Sequence, residues 1–172
     1  RIGIIKVKLK YLKMYKEIKK CRIGNSSELI TVLSLGDQYL TGVFPKDKSE
    51  EITKGPLDLV WCPETGLLQM KHSYSLDEMY GDNYGYRSGL NSSMVTHLQQ
   101  KIKKLESTVT LFDDDLVIDI GSNDATSLKA YSGKHKKVGI DPTGLKFQEY
   151  YNDDITLIPD FFTAAKYQDI FG

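Results

Sequence analysis

The chain has 172 residues and 19.5 kDa, with 23 basic and 23 acidic side chains and three histidines. One domain, or a small module joined to part of a larger one, fits that length. Zero formal charge argues against a general nucleic-acid binder, which concentrates positive charge on a face or tail, and 40% hydrophobic residues argue against wholesale disorder.

No apolar run approaches the roughly 18–20 residues that span a bilayer, and the opening residues do not read as a signal peptide. A soluble, cytoplasmic protein with no nucleic-acid or membrane partner is therefore expected. Cys21 and Cys62 are too few for a disulfide scaffold and fit a reducing compartment.

Residues 1–20 alternate basic and apolar side chains. They read either as an edge strand or as a short basic amphipathic helix, in both cases a peripheral extension without chemistry. Residues 21–75 form a small β-rich module. ELITVLSLG is a strand ending on Gly36, LDLVWC a second after the breaker pair Gly55-Pro56, and LLQMKHSY a third; PKDKSEEITKG is a polar loop between the first two. Its core is expected to be too thin to stand without help.

Residues 76–110 are expected to be a loop and a linker helix. Ser75 with Glu78 three residues on reads as a capping box. In NSSMVTHLQQKIKKLES, Met94, Val95, Leu98, Ile102 and Leu105 share a face, with Asn91 or Ser92 as cap.

Residues 111–172 alternate strand and helix signals. LVIDI (116–120) is a continuous apolar strand of the kind buried in a parallel sheet. It runs into Gly121-Ser122-Asn123-Asp124 and a helical stretch, DATSLKAYSG. KKVGID is a second strand, LKFQEYY a second helix and ITLIPDFF the start of a third strand. This β-α-β-α-β order is the beginning of a doubly wound α/β domain with right-handed crossovers.

Such a pattern binds nucleosides. A glycine at the carboxyl end of the first strand permits a tight turn and close approach of a ligand. Asp141, twenty residues after Gly121, stands where an acidic side chain meets ribose hydroxyls. GSNDAT is not G-x-G-x-x-G, however, and Asp119 and Asp124 would repel a pyrophosphate. A cationic, phosphate-free nucleoside suits them, which selects S-adenosylmethionine over NAD or ATP. The candidate cofactor residues are Asp119, Gly121, Ser122, Asn123, Asp124, Asp141 and Pro142. The plainer alternative is that Asp119 or Asp124 caps the next helix.

The segments CRIGN, LSLGDQYL, WCPETGLLQM, MYGDNYGYRSGLNSSM and VIDIGSNDATSL, in that order, resemble a known family. It is that of S-adenosylmethionine-dependent sugar methyltransferases acting on nucleotide-linked deoxysugars. The resemblance covers roughly residues 21–165. It implies an α/β fold: a small zinc-ribbon-like N-terminal module, then the first half of a Rossmann-like class I methyltransferase domain. It also implies a nucleotide-sugar substrate, with carbon methylation of a keto-deoxysugar ahead of oxygen methylation. By the same resemblance the loop 80–91 lies over the active site. Tyr84 and Tyr86 are then the candidate substrate and catalytic residues, beside Arg87 and Ser88; Arg87 can pair with a diphosphate. The alternative for this loop is an ordinary turn whose tyrosines pack locally.

Two departures from the family stand out. Its zinc module carries C-x-x-C pairs, whereas Cys21 is followed at that spacing by Gly24 and Cys62 by Thr65. A closed zinc site needs four ligands. His72 could substitute, while His97 and His135 fall in other elements. Either the metal site is lost, leaving Cys21 and Cys62 as small buried side chains, or a cysteine between Ile23 and Gly24 is missing from this sequence. The second departure is length. Family members continue with further strands that hold the general base, so the remainder is expected in the same chain or in another. The rival reading from a different class is a non-catalytic or degenerate methyltransferase serving as an interaction module.

Overall fold

The computed structural model describes residues 15–172; residues 1–14, most of the expected basic extension, lie outside it. The chain divides into two compact units, one ending at Gly85 and the other running Tyr86–Gly172. The division therefore falls within the segment 76–110 that reads as one linker in the sequence.

The first unit is β-rich. Strand β1 (Tyr15–Glu17) pairs antiparallel with β5 (His72–Tyr74). Strands β2 (Ile30–Tyr39), β3 (Lys54–Trp61) and β4 (Leu68–Met70) form an antiparallel sheet with β3 in the centre. Two boundaries differ from the sequence reading. β2 runs on through Gly36, the register shifting between Ser34 and Asp37. β3 starts before Gly55-Pro56, because Pro56 lies where β3 pairs on one side only, a place that tolerates proline. LLQMKHSY splits between two sheets as β4 and β5. Helix α1 (Leu76–Met79) follows. Cys21, Val43, Val60 and Cys62 are its buried apolar side chains among the described residues, while Ile30, Val32, Leu33 and Leu35 of β2 are exposed.

The second unit opens with a 3₁₀ turn, Ser88–Leu90, and helix α2 (Ser92–Thr108), whose Asn91 cap accepts from Ser93 N. Ile102 is buried while Leu105 stays 41% exposed, so the apolar face predicted from the sequence is only partly covered. Three strands make a parallel sheet in the order β6 (Leu116–Ile120), β7 (Lys136–Ile140), β8 (Ile155–Ile158). The connections carry less helix than expected. Between β6 and β7 only a 3₁₀ turn, Leu128–Ala130, forms; between β7 and β8 a short helix, α3 (Gly144–Phe147), continues as a 3₁₀ turn. Helix α4 (Ala164–Phe171) closes the described chain, capped by Thr163. Ala125, Leu128 and Ile155 are the centre of the core, with Val117 and Tyr151 packed on it. The architecture is mixed α/β with small sheets. No helix of the described residues is long and apolar enough to cross a membrane.

Candidate functional site: the loop after β6

β6 delivers the chain to Gly121 at its carboxyl end, and the loop that follows takes a conformation that few residues adopt. Gly121 has φ +79°, Asn123 φ 50° and Ala125 φ 59°. A Cβ at Gly121 would meet nothing within 4 Å, so the backbone there faces open space. Ser122, Asn123 and Asp124 are buried beneath it.

Two carboxylates hold the loop in this shape, and counting their bonds separates their roles. An ionised carboxylate offers about four acceptor positions. Asp124 accepts from Thr126 N (3.3 Å) and Oγ1 (2.5 Å), from Gly89 N (2.8 Å) and from Arg87 Nη1 (3.2 Å). Asp141 accepts from Thr143 N (2.7 Å) and Oγ1 (2.5 Å), and its Oδ2 accepts from Asn123 N (2.8 Å). Asp124 is thus filled from within the protein, whereas these bonds leave Asp141 acceptor capacity on Oδ2, the oxygen turned to the loop.

Asn123 ties the same loop to the start of the unit: its Oδ1 accepts from Ser88 N (2.8 Å) and its Nδ2 donates to Tyr86 O (3.1 Å). Tyr151 donates to Asn123 O (3.0 Å), which makes Ser122 Oγ the donor to the Tyr151 hydroxyl at 2.7 Å. Burial pushes the Tyr151 phenol up to about 12, so it stays protonated throughout the neutral range. Asp119, next to last in β6, is raised above the usual carboxylate range by burial; Lys101 opposes that shift and the charge of Asp141 adds to it. Pro142 sits in the turn after β7.

The residues predicted for the substrate are distributed otherwise. Arg87 is committed to Asp124, with its guanidinium 4.1 Å over the Tyr150 ring. Ser88 uses its backbone N–H on Asn123. Tyr86 is 46% exposed. Tyr84 belongs to the first unit, where its ring lies 5.5 Å from that of Tyr80 and its backbone bridges to Val43. Sequence reasoning passed over Gly89, Thr126, Thr143 and Tyr151. The Asp-x-Thr spacing of 124–126 and of 141–143 is a local signal that could have found the two threonines.

The first unit holds an open apolar hollow of about 700 Å³, lined among others by Leu40, Leu57, Met70 and Met79, which the sequence does not announce. His72 lies on its wall, with Nδ1 3.8 Å from Asp58 and no hydrogen-bond partner among the described residues. Cys21 and Cys62 are both buried, as free thiols. Cys21 Sγ is 3.1 Å from Thr65 Oγ1.

Residues 21–80 match a family model described as "Putative zinc binding domain". The chain is also 27% identical over 158 residues to the C-methyltransferase NovU of Streptomyces niveus. The match covers 90% of this chain but 37% of that relative, so the chain spans little over a third of its length. Both findings support a C-methyltransferase family with an N-terminal zinc-binding domain. For that family's metal, the donor set here is a poor fit. A closed zinc site takes four Cys, His or carboxylate ligands, and two thiols beside a neutral hydroxyl do not supply them.

Proposed function

We propose that this chain binds S-adenosylmethionine through the loop after β6. On this reading it serves a methyltransferase that acts on a nucleotide-linked keto-deoxysugar, with transfer to carbon rather than oxygen. The observation that carries the proposal is Gly121: left-handed, unobstructed, and at the carboxyl end of a parallel strand whose neighbour runs directly into Asp141. Strand order β8-β7-β6 is the order found in one half of a Rossmann-like sheet, where nucleosides bind at the carboxyl ends of the strands. The likeness to a C-methyltransferase supports the same reading.

The bound cofactor would supply an electrophilic methyl on a sulfonium. This chain's part is to hold it. Gly121 admits the adenosine close to the backbone. Asp141 Oδ2 accepts from a ribose hydroxyl. Asp119 lends negative charge near a cationic ligand, and binding such a ligand would draw its raised pKa back down. Asp124, Arg87 and Asn123 keep the loop in shape instead of touching the ligand. Tyr86 and Ser88, anchored to Asn123 through their backbones, leave their side chains to the sugar nucleotide.

Calorimetric titration with S-adenosylhomocysteine, and separately with NAD, tests this. Saturable binding of S-adenosylhomocysteine is expected, weakened about tenfold by Asp141→Asn, which keeps the shape but gives up the charged acceptor. Binding of NAD alone, or no binding of S-adenosylhomocysteine by folded protein, would overturn the proposal.

A further inference from the structure

The first unit contains the four corners of a metal knuckle but donor atoms at only two of them. Cys21 and Cys62 are two corners, and the other two stand three residues after each, at Gly24 and Thr65. The fold brings them together. Thr65 Oγ1 is in hydrogen-bond contact with Cys21 Sγ, and a Cβ on Gly24 would lie 3.8 Å from Cys21 Sγ and 2.8 Å from Thr65 Cγ2. Cys62 joins the cluster through the turn that carries Thr65, three residues on. The turn at 62–67 is closed by Gly66 N on Cys62 O (2.9 Å) and Cys62 N on Leu67 O (2.9 Å). The turn at 21–26 is closed by Cys21 N on Ser26 O (2.8 Å).

Something other than an ion joins the two turns. Buried Gln69 accepts from Arg22 N at 2.9 Å through Oε1 and donates to Lys20 O at 3.3 Å through Nε2. Arg22 Nη2 reaches Ser73 Oγ at 2.8 Å. These bonds span the same gap that a shared metal would span. No group of three Cys, His, Asp or Glu forms a site among the described residues, and residues 1–14 contain none of those residue types.

We infer that this unit is a zinc-binding fold that works without zinc. The Thr65 side chain and its bond to Cys21 fill the place of the ion, and the Gln69 bonds take over its cross-link. It follows that cysteines at positions 24 and 65 together recreate a four-thiolate tetrahedral site.

The geometry also sets the sign of each substitution. A side chain at 24 collides with Thr65 Cγ2, so Gly24→Ala alone lowers the melting temperature. Adding Thr65→Ser removes that methyl, keeps the hydroxyl and recovers most of the loss. Gly24→Cys with Thr65→Cys likewise removes the obstruction, since cysteine has one γ atom.

The experiment uses the whole chain, expressed with zinc in the medium and purified without chelator. Elemental analysis is expected to find less than about 0.1 zinc per chain, and EDTA to leave the melting temperature unchanged. The Gly24→Cys/Thr65→Cys variant is expected to hold one zinc per chain. With cobalt in its place, it should show the intense near-ultraviolet absorption of thiolate-to-metal charge transfer, and EDTA should lower its melting temperature by about 5 °C or more. Stoichiometric zinc in the unsubstituted chain, or loss of its stability in EDTA, overturns the inference. A folded double-cysteine variant that takes up no metal overturns the convergence of the four corners. If that variant does not fold, the Gly24→Ala and Thr65→Ser pair decides the convergence: additive effects would refute it.

Discussion

Asp124 and Asp141 look alike in the sequence, each following a strand and each standing two residues before a threonine, yet their bonds assign them different work. Replacing Asp124 by Ala leaves Gly89 N, Thr126 and Arg87 without the acceptor that a fully buried carboxylate gives them. A loss of about 3 kcal/mol in urea unfolding is expected. Tyr151→Phe removes the bonds to Ser122 and Asn123 O and should cost about 1–2 kcal/mol by the same measurement. Asp119 gives a pH signature. Its folded pKa lies above the unfolded value, so its contribution to stability is fully present below the unfolded pKa, about 3.9, and is lost as pH rises through the folded value. Asp119→Asn should therefore melt higher than the unsubstituted chain at pH 7, with the gap closing below about pH 4; a gap independent of pH would contradict the burial. The sequence groups Asp124 with Asp119 and Asp141 because it shows only neighbours along the chain. The partners that fill Asp124, Arg87 and Gly89, precede it by 37 and 35 residues, beyond any local pattern.

At the scale of elements, the strands of the second unit and helix α2 were the legible parts. LVIDI is an apolar run with one fate, KKVGI ends in a short one, and α2 repeats its apolar side chains over about three turns. The stretch after Gly121 was not legible as a loop. Its alanine and leucine content favours helix, but Asn123 and Ala125 sit at positive φ, and Asp124 and Thr126 bond locally instead of extending a helix. The same competition explains α1. Ser75 and Glu78 have the spacing of a capping box, yet the Ser75 side chain makes no cap bond, and Glu78 reaches Thr53 N at 3.0 Å and Thr53 Oγ1 at 2.7 Å. Glu78 thus pins the end of the long 45–53 loop to α1. Glu78→Ala should cost about 1–2 kcal/mol, and Ser75→Ala less than about 0.5 kcal/mol. Equal costs in thermal unfolding would restore the capping box.

For the whole molecule, zero net charge hides an uneven chain, since residues 1–20 are strongly basic and the rest is acidic on balance. Composition correctly indicated enough apolar surface for a core, but not how it is shared. Among the described residues, the first unit buries Cys21, Val43, Val60 and Cys62; the second buries Ile102, Ala125, Leu128, Val138, Ile140, Phe147 and Ile155. At about 1.5–3 kcal/mol for each large apolar side chain buried, the described residues give the second unit the larger hydrophobic term. The first unit instead relies on Gln69, Glu78 and the Cys21–Thr65 bond, whose net worth is about 1 kcal/mol each. Trp61, the single tryptophan, lies in β3 of the first unit, so its fluorescence reports that unit alone. In urea, the Trp61 signal should change at lower denaturant than the far-ultraviolet circular dichroism, to which both units contribute. Coincident curves would mean that the two units unfold as one cooperative body, and that the thin core of the first is not what limits it.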